Sequence, residues 1–349
     1  MAPDTPAPTP PAHWPAVSVV MPVRDEQRHL GEAVARVLAQ DYPGRLELVL
    51  AVAPSRDGTP ALAAALAAGD ARVRVVPNPA GTTPAGLNAA LRASGNPVVV
   101  RVDGHGLLSD GYITRAVSQL LVTGAANVGG VMRAVGTTDF EVAVARAMTS
   151  RWGIGGAVFH TGGSPGPADS VYLGVFRREV LDALGGYDEY YRRAQDWELN
   201  LRIRRSGHTV WFDPGLSVTY RPRSSLPALA RQFAGSGRWR RELIRRHPDT
   251  AAARYLAPPV VTAAVLAGLA VGGLGLVAGR RGGRPARWAR ATLLLPAGYG
   301  AGVSVAGLLI GRGMPVPARA LLTPVLITMH LAWGFGFLHR SPTDADSNR

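Results

Sequence analysis

The sequence predicts an α/β domain built on a mostly parallel sheet with helices on its faces, followed by transmembrane helices. Three observations predict it. Short β-branched runs alternate with helical patterns in the first part of the chain, and three long uncharged apolar stretches fill the last hundred residues. Charge separates the two regions: residues 1–200 hold 17 arginines against 19 acids, a net of −2, whereas 201–349 hold 21 arginines against 5 acids, a net of +16.

The alternation begins at Ala16 to Met21, a β-branched run, and continues with a helical pattern from Arg28 to Gln40. Leu46 to Val52 reads as a strand, Pro60 to Ala68 as a helix, Val73 to Val76 as a strand, Pro84 to Ala93 as a helix and Pro97 to Val102 as a strand. Strands of this length separated by helices imply a parallel sheet covered on both faces. Ligands of such sheets bind beyond the carboxyl ends of the strands, which directs attention to Pro22 to Glu26, Ala53 to Gly58 and Asp103 to Gly106. No G-x-G-x-x-G follows the first strand, which argues against a dinucleotide site.

The apolar stretches are Leu256 to Gly279, Ala291 to Gly311 and Leu321 to Leu338, of 24, 21 and 18 residues. Each is near or above the roughly 18–20 residues that span a hydrocarbon core. The membrane region is read as 256–338. The arginines before it, from Arg238 to Arg246, place that side in the cytoplasm by the positive-inside rule. The next loop, with Arg280, Arg281, Arg284, Arg287 and Arg290, would then lie outside if the first stretch crosses. Two readings stay open: three spans, or two spans with Leu256 to Gly279 dipping back or lying at the interface around its prolines and glycines. Residues 1–15, with six prolines, and the polar residues 339–349 read as loose tails.

All 38 basic residues are arginine and there is no cysteine. That excludes a lysine Schiff base, a phosphate-loop lysine, a thiolate nucleophile, disulfides and cysteine metal sites. Nucleic-acid binding is not expected either, because the excess positive charge flanks the apolar stretches while residues 1–200 are slightly acidic. The segment 225–255 reads as a basic amphipathic juxtamembrane segment. Its helix, Ser225 to Arg246, offers Leu226, Leu229, Phe233, Trp239 and Leu243 as apolar contacts and arginines for anionic head groups or a lipid diphosphate. Within it, Arg238 and Trp239 are the candidate acceptor or diphosphate contacts.

The most informative loop is Arg101-Val102-Asp103-Gly104-His105, where a valine run ends in an acid, a glycine and an imidazole. In an extended segment Asp103 and His105 share a face, so both can meet one divalent ion, while Gly104 lets a phosphate approach. The plainer alternative is a turn aspartate beside a solvent-facing histidine. Asp196 lies in or just before the first turn of a helix that starts at Gln195, where the dipole favours an acid, as a cap or as something more. Glu198 and Arg202, four apart, read as a surface ion pair. The glycine-rich stretch Arg151 to Asp169, with Trp152, Phe159 and His160, reads as a mobile acceptor loop or an ordinary connection.

Six segments in order carry a family resemblance: VSVVMPVRDE (Val17 to Glu26), SRDGT (Ser55 to Thr59), TPAGLNAAL (Thr83 to Leu91), VVVRVDGH (Val98 to His105), GGYDE (Gly185 to Glu189) and QDWELNLRIRRSG (Gln195 to Gly207). Over roughly Val17 to Arg246 the chain resembles the family 2 glycosyltransferases with the GT-A nucleotide-diphospho-sugar transferase fold, here followed by transmembrane helices. It is most similar to the membrane-associated branch that builds bacterial exopolysaccharides, the succinoglycan-biosynthesis type, in which Asp-x-His also replaces Asp-x-Asp. The resemblance implies a GT-A catalytic domain over 16–224. It implies Pro22, Arg24, Glu26, Asp57, Asn88 and Arg101 at the nucleotide-sugar, Asp103 on the metal and diphosphate with His105 as the second candidate ligand, and Asp196 as general base.

The implied cofactor is a divalent cation, and mixed oxygen and imidazole ligation suits Mn²⁺ better than Mg²⁺. The implied partners are a nucleotide-sugar donor, a UDP-sugar favoured, and a lipid-linked or glycan acceptor at the membrane. The implied enzyme is an inverting hexosyltransferase-type protein of the cytoplasmic membrane, multi-pass, with its catalytic domain facing the cytoplasm. The sequence departs from the family pattern in three places: Ala53-Pro54-Ser55-Arg56-Asp57 where many members carry Asp-Asp-Gly-Ser, Gln195 where a glutamate is usual, and three extra positions between Gln232 and Arg238-Trp239. The last favours addition of single sugars over polymer synthesis. The first two leave a catalytically silent nucleotide-sugar-binding homologue as the alternative.

Overall fold

The computed structural model describes residues 13–280 and 287–339. Most of both expected tails, residues 1–12 and 340–349, and residues 281–286 of the arginine-rich loop lie outside the described residues. The chain opens with β1 (Val17–Val23), α1 (Leu30–Leu38), β2 (Leu46–Val52), α2 (Thr59–Gly69), β3 (Val73–Pro77), α3 (Thr83–Arg92) and β4 (Val98–Arg101). It continues with β5 (Leu107–Leu108), α4 (Tyr112–Thr123), β6 (Asn127–Ala134), α5 (Asp139–Met148), α6 (Arg151–Ile154) and α7 (Val158–Thr161). Next come β7 (Gly166–Pro167), β8 (Tyr172–Arg177), α8 (Arg178–Ala183), α9 (Gln195–Arg205) and β9 (Val210–Tyr220). The helices α10 (Leu226–Arg246), α11 (Ala253–Arg280), α12 (Arg287–Ala291), α13 (Leu294–Ile310), α14 (Val316–Ala320) and α15 (Leu322–Leu338) complete it. Every element expected before residue 103 forms, with ends shifted by no more than about two residues.

The chain divides into two compact units. The first holds residues up to 133 together with 157–220. It is built on one nine-stranded sheet of order β3-β2-β1-β4-β8-β6-β9-β5, with β7 on β9. The half β3-β2-β1-β4 is parallel, as the strand and helix alternation requires. The expectation of a mostly parallel sheet stops there, because β8 runs antiparallel to β4 and β6, and β9 antiparallel to β5 and β7. Beyond residue 103 the strands are joined by long excursions, so no short alternation announces their direction. Successive residues of β1 serve two cores: Val17, Val19 and Met21 join Leu48 and Leu50 on one face, while Val20 joins Val49 and Ala51 on the other. Burial on both faces explains the unbroken apolar run, each fully buried aliphatic side chain contributing about 1.5–3 kcal/mol.

The second unit takes in 134–156 and 221–349, so α5 and α6, inside the span read as catalytic domain, pack with the C-terminal helices. Among the described residues, three helical stretches are long and apolar enough to cross a membrane: Ala253–Ala278, Trp288–Ile310 and Val316–Leu338, with mean hydropathy 2.3, 1.8 and 1.6. α11 is one continuous 28-residue helix with Pro258 and Pro259 inside it. Close helix packing rests on glycine: a Cβ on Gly334 would lie 2.5 Å from the Pro258 carbonyl and 2.7 Å from Thr262 Cβ.

One buried ion pair holds α4 to β9 in the first unit. Arg115 Nε and Nη2 donate to the two oxygens of Asp213 at 2.7 and 3.0 Å, and Asp213 is wholly buried. Removing the arginine alone strands a buried carboxylate. Arg115→Leu is therefore expected to cost about 3–5 kcal/mol, most of it recovered in Arg115→Leu/Asp213→Leu, as read by thermal unfolding of the detergent-purified chain. Equal destabilisation by the single and double variants would contradict this.

Candidate active site

The loops after β1 and β2 are fastened to each other before they meet any ligand. Asp57 Oδ1 accepts from Thr59 N and Oγ1 at 3.0 and 2.5 Å, and its Oδ2 accepts from Gln27 N at 3.1 Å. The Thr59 hydroxyl bond, ahead of the opposing effect of burial, holds the Asp57 carboxyl below its ordinary value. Gly58 N donates to Gln27 Oε1 at 2.8 Å and Arg56 N to Asp25 Oδ1 at 2.6 Å, with Asp25 in the left-handed region at φ 54°. Asp57 thus shapes the loop. Arg24 is exposed, 3.7 Å from Asp25 and 3.3 Å from the Gly81 carbonyl. Pro22 pairs with Ala51 of β2 beyond the point where β1 pairs with β4, so its missing N–H costs no bond to β4.

After β4 the chain turns at once. Gly106 N donates to the Asp103 carbonyl at 2.8 Å, so Asp103, Gly104 and His105 lie in a turn, and the extended geometry expected to align Asp103 with His105 does not form. Each side chain has its own partner. Glu26 Oε1 sits 2.6 Å from His105 Nδ1, and the Glu26 backbone N–H donates to Thr59 Oγ1 at 2.7 Å. The first two strand-end loops therefore hold the imidazole of the third. A Cβ on Gly104 would meet Val23 at 3.0 Å and Glu26 at 3.1 Å, which explains the glycine between the two polar residues.

Period-2 alternation puts Val99, Arg101 and Asp103 on one side of the strand and its exit, with Val99 and Tyr187 in the same core. Arg101 Nε and Nη2 donate to Asp103 Oδ1 at 3.2 and 3.1 Å. Its Nη1 forms an ion pair with Asp196 Oδ1 in the first turn of α9, and the Tyr187 ring centroid lies 6.0 Å from its guanidinium carbon. The Arg101 side chain is only 4% exposed. Burial pulls its pKa down, but Asp103, together with Tyr187 and Tyr172, more than restores it, leaving it above the ordinary value. Burial also pushes the Tyr187 phenol up to about 12.

Asn88, expected at the nucleotide, is buried and fastens the Gly185 to Glu189 turn to α3. It donates to the Tyr187 carbonyl at 2.8 Å and Glu189 Oε1 at 2.9 Å, and it accepts from Tyr187 N at 2.9 Å. The Glu198 and Arg202 pair is not a surface pair. Glu198 is buried, bonded at 2.6 and 2.8 Å, and Arg202 also donates to the Leu184 and Gly186 carbonyls at 2.7 and 2.8 Å, tying α9 to the same turn. Ala194, just before α9, takes the left-handed conformation at φ 64°, which aims the helix start at β4.

The structure thus forms two sets of contacts, Glu26 with His105 and Arg101 with Asp103 and Asp196, joined through the 103–105 turn, with Asp57 and Asn88 fixing neighbouring loops. Arg238 and Trp239 lie on α10 in the second unit. There Leu229, Phe233 and Leu243 are buried within the protein, Leu226 is exposed, and the buried face also takes Arg240 and Glu242. Arg240 stacks on Tyr255 at 4.1 Å, and Arg241 donates to the Leu338 and His339 carbonyls at 3.1 and 2.5 Å, capping α15. The glycine-rich stretch contains the short helices α6 and α7, and burial pushes the His160 imidazole down to about 4. Sequence reasoning missed Tyr187, the buried role of Glu198 and the partner of Glu26. The tyrosine was within reach, standing in the Gly-Gly-Tyr-Asp-Glu segment.

No group of three His, Asp or Glu side chains placed to hold a metal occurs among the described residues. Asp103 and His105, one carboxylate and one imidazole on one turn, still fit an ion that takes its remaining ligands from a diphosphate, since such ions need only one or two protein groups.

The sequence model described as "Glycosyltransferase like family 2" matches residues 15–240. The chain belongs to that family, and it is a glycosyltransferase. It is 31% identical over 328 residues to the succinoglycan biosynthesis protein ExoA of Rhizobium meliloti (strain 1021), covering 91% of this chain and 93% of that protein. Its fold is similar to that of the mannosyltransferase PcManGT from Pyrobaculum calidifontis, solved in complex with GDP-Man and Mn2+, with a TM-score of 0.55, 20% identity and coverage of 93% and 88%.

Gly186 holds the turn beneath Arg101 at φ 73°, where a Cβ would lie 2.7 Å from Asn88 Oδ1. Gly186→Ala is expected to destabilise the chain by about 1–3 kcal/mol, read as a lowered Tm. An unchanged Tm would contradict the placement of Asn88.

Proposed function

We propose that the protein is an inverting, divalent-metal-dependent glycosyltransferase that moves a sugar from a nucleotide-diphospho-sugar, a UDP-sugar favoured, to a lipid-linked acceptor at the membrane. The placement of Asp196 beside the Asp103 turn, through their common contact with Arg101, carries this reading. It sets a carboxylate able to accept a proton next to the group assigned to the departing diphosphate. The carboxyl group of Asp196 is of the kind that serves as a general base. Asp196 takes the proton of the acceptor hydroxyl as the hydroxyl oxygen bonds to the anomeric carbon. The bond from that carbon to the diphosphate oxygen breaks on the opposite face, so the anomeric configuration inverts. Asp103 and His105 would hold the divalent cation, with Glu26 fixing the imidazole; when bound, the cation supplies charge stabilisation to the leaving diphosphate.

The relative's part in succinoglycan biosynthesis supports a role in bacterial exopolysaccharide or envelope glycan synthesis, and the Mn2+ of the mannosyltransferase supports the cation. The three apolar helices support three spans, with the catalytic domain facing the cytoplasm, where nucleotide-sugars are made. The acceptor contacts we assign to Arg238 and Trp239, and the donor contacts to Pro22 and Arg24.

The test is nucleotide release from a panel of UDP-, GDP- and dTDP-sugars by the detergent-purified chain with lipid extract and Mn²⁺, Mg²⁺ or chelator. Release from one donor is expected, abolished by chelator and by Asp103→Ala, and reduced at least about 10²-fold in Asp196→Asn with donor binding retained. Nucleotide binding without release, in the presence of a defined lipid-linked acceptor, would identify a silent binding homologue instead. Topology has its own readout because the chain lacks cysteine. A maleimide that cannot cross the membrane is expected to label Gly282→Cys from outside intact cells and Ser55→Cys only after lysis; labelling of neither from outside would contradict three spans.

A further inference from the structure

Arg101 was assigned to the nucleotide by resemblance, but its surroundings describe another task. Its side chain is 4% exposed and engages two protein carboxylates: Nε and Nη2 donate to Asp103, and Nη1 forms an ion pair with Asp196. Tyr187 lies against the guanidinium, and Asn88 and Gly186 fix Tyr187. We propose that Arg101 is a positioning residue that sets the spacing between the base carboxylate Asp196 and the leaving-group carboxylate Asp103 without touching the donor. The inference rests on the transferase reading above, in which those two carboxylates serve opposite faces of one reacting carbon.

Elementary electrostatics gives the reason. Two carboxylates brought near one anomeric carbon repel, and each would turn away or take up a proton; one planar cation between them removes the repulsion and fixes both directions at once. Asp103 comes from the end of β4 and Asp196 from the start of α9, 93 positions later in the sequence, so nothing local fixes their separation. An in-line displacement tolerates little error in that separation, with about 1 Å of misplacement costing on the order of 10²-fold. A lysine cannot replace the arginine, because a single ammonium has no fork to reach both acids at once.

The experiment compares wild type, Arg101→Lys, Arg101→Met, Asp196→Asn and Arg101→Met/Asp196→Asn as full-length detergent-purified chains. It measures kcat, donor KM, and the Kd of the donor nucleotide diphosphate with Mn²⁺ by equilibrium dialysis. Arg101→Lys keeps the buried charge and guards against a variant that fails to fold. The expected result is a kcat lowered about 10²-fold in both Arg101 variants, with nucleotide Kd and donor KM within about threefold of wild type. In the Asp196→Asn background, Arg101→Met is expected to lower kcat by no more than about threefold further, because residues acting as a unit do not add. A nucleotide Kd raised tenfold or more with kcat unchanged would make Arg101 a donor contact and overturn the proposal. Full additivity with Asp196→Asn would reduce it to a structural role and overturn it too, while the transferase reading stands. A wild type that releases no nucleotide from any donor, and does not differ from Asp196→Asn, overturns the reading and the proposal together.

Discussion

The buried guanidinium of Arg101 is the constraint on which the site depends. A charge at 4% exposure at the end of a central strand persists only where it is paired, and its partners here are Asp103 and Asp196, the two acids to which the proposed chemistry is assigned. Everything around it serves that pairing. The left-handed Ala194 starts α9 where Asp196 can reach, the Glu198–Arg202 pair binds α9 to the 184–186 turn, and Asn88 locks that turn so that Tyr187 lies against the cation. The acids can be close because the arginine is there, and the arginine can be buried because the acids are.

A second set of contacts does for His105 what Arg101 does for the acids. Asp57 and Thr59 shape the loop after β2, Thr59 receives the Glu26 backbone N–H, and Glu26 meets the imidazole. The residues that the resemblance assigns to the nucleotide thus divide. Arg24 is exposed and Pro22 half-buried, whereas Asp57, Asn88, Glu26 and Arg101 are held by side-chain bonds to other loops. Such supporting residues recur with the ligand-binding ones because the site cannot hold its geometry without them.

Much of this was legible in the sequence, for physical reasons. The parallel half of the sheet shows as short β-branched runs because both faces of those strands are buried, and the helices long and apolar enough to cross a membrane show as uncharged stretches because lipid tolerates little else. The strand-end loops could be named because open sheets bind ligands there. What was not legible depends on meetings across long stretches of chain. The Asn88 contact with Tyr187 bridges 99 positions and that of Glu26 with His105 bridges 79, and no spacing rule reaches so far. The direction of β8 and β9, and the departure of 134–156 to the helical unit, escaped for the same reason. The local error was of another kind: Asp103 and His105 were placed on one face by extending the strand, whereas the chain turns at Asp103 to return toward β5.

The claim at the centre is single displacement, with Asp196 on the face opposite the departing diphosphate. The measurement that reaches it most directly is the anomeric configuration of the first-formed product, read by proton NMR during turnover of an α-linked donor. The account predicts a β-linked product from the first turnover. An α-linked product would require a second displacement, which an Asp196 acting only as base does not provide, and would contradict it.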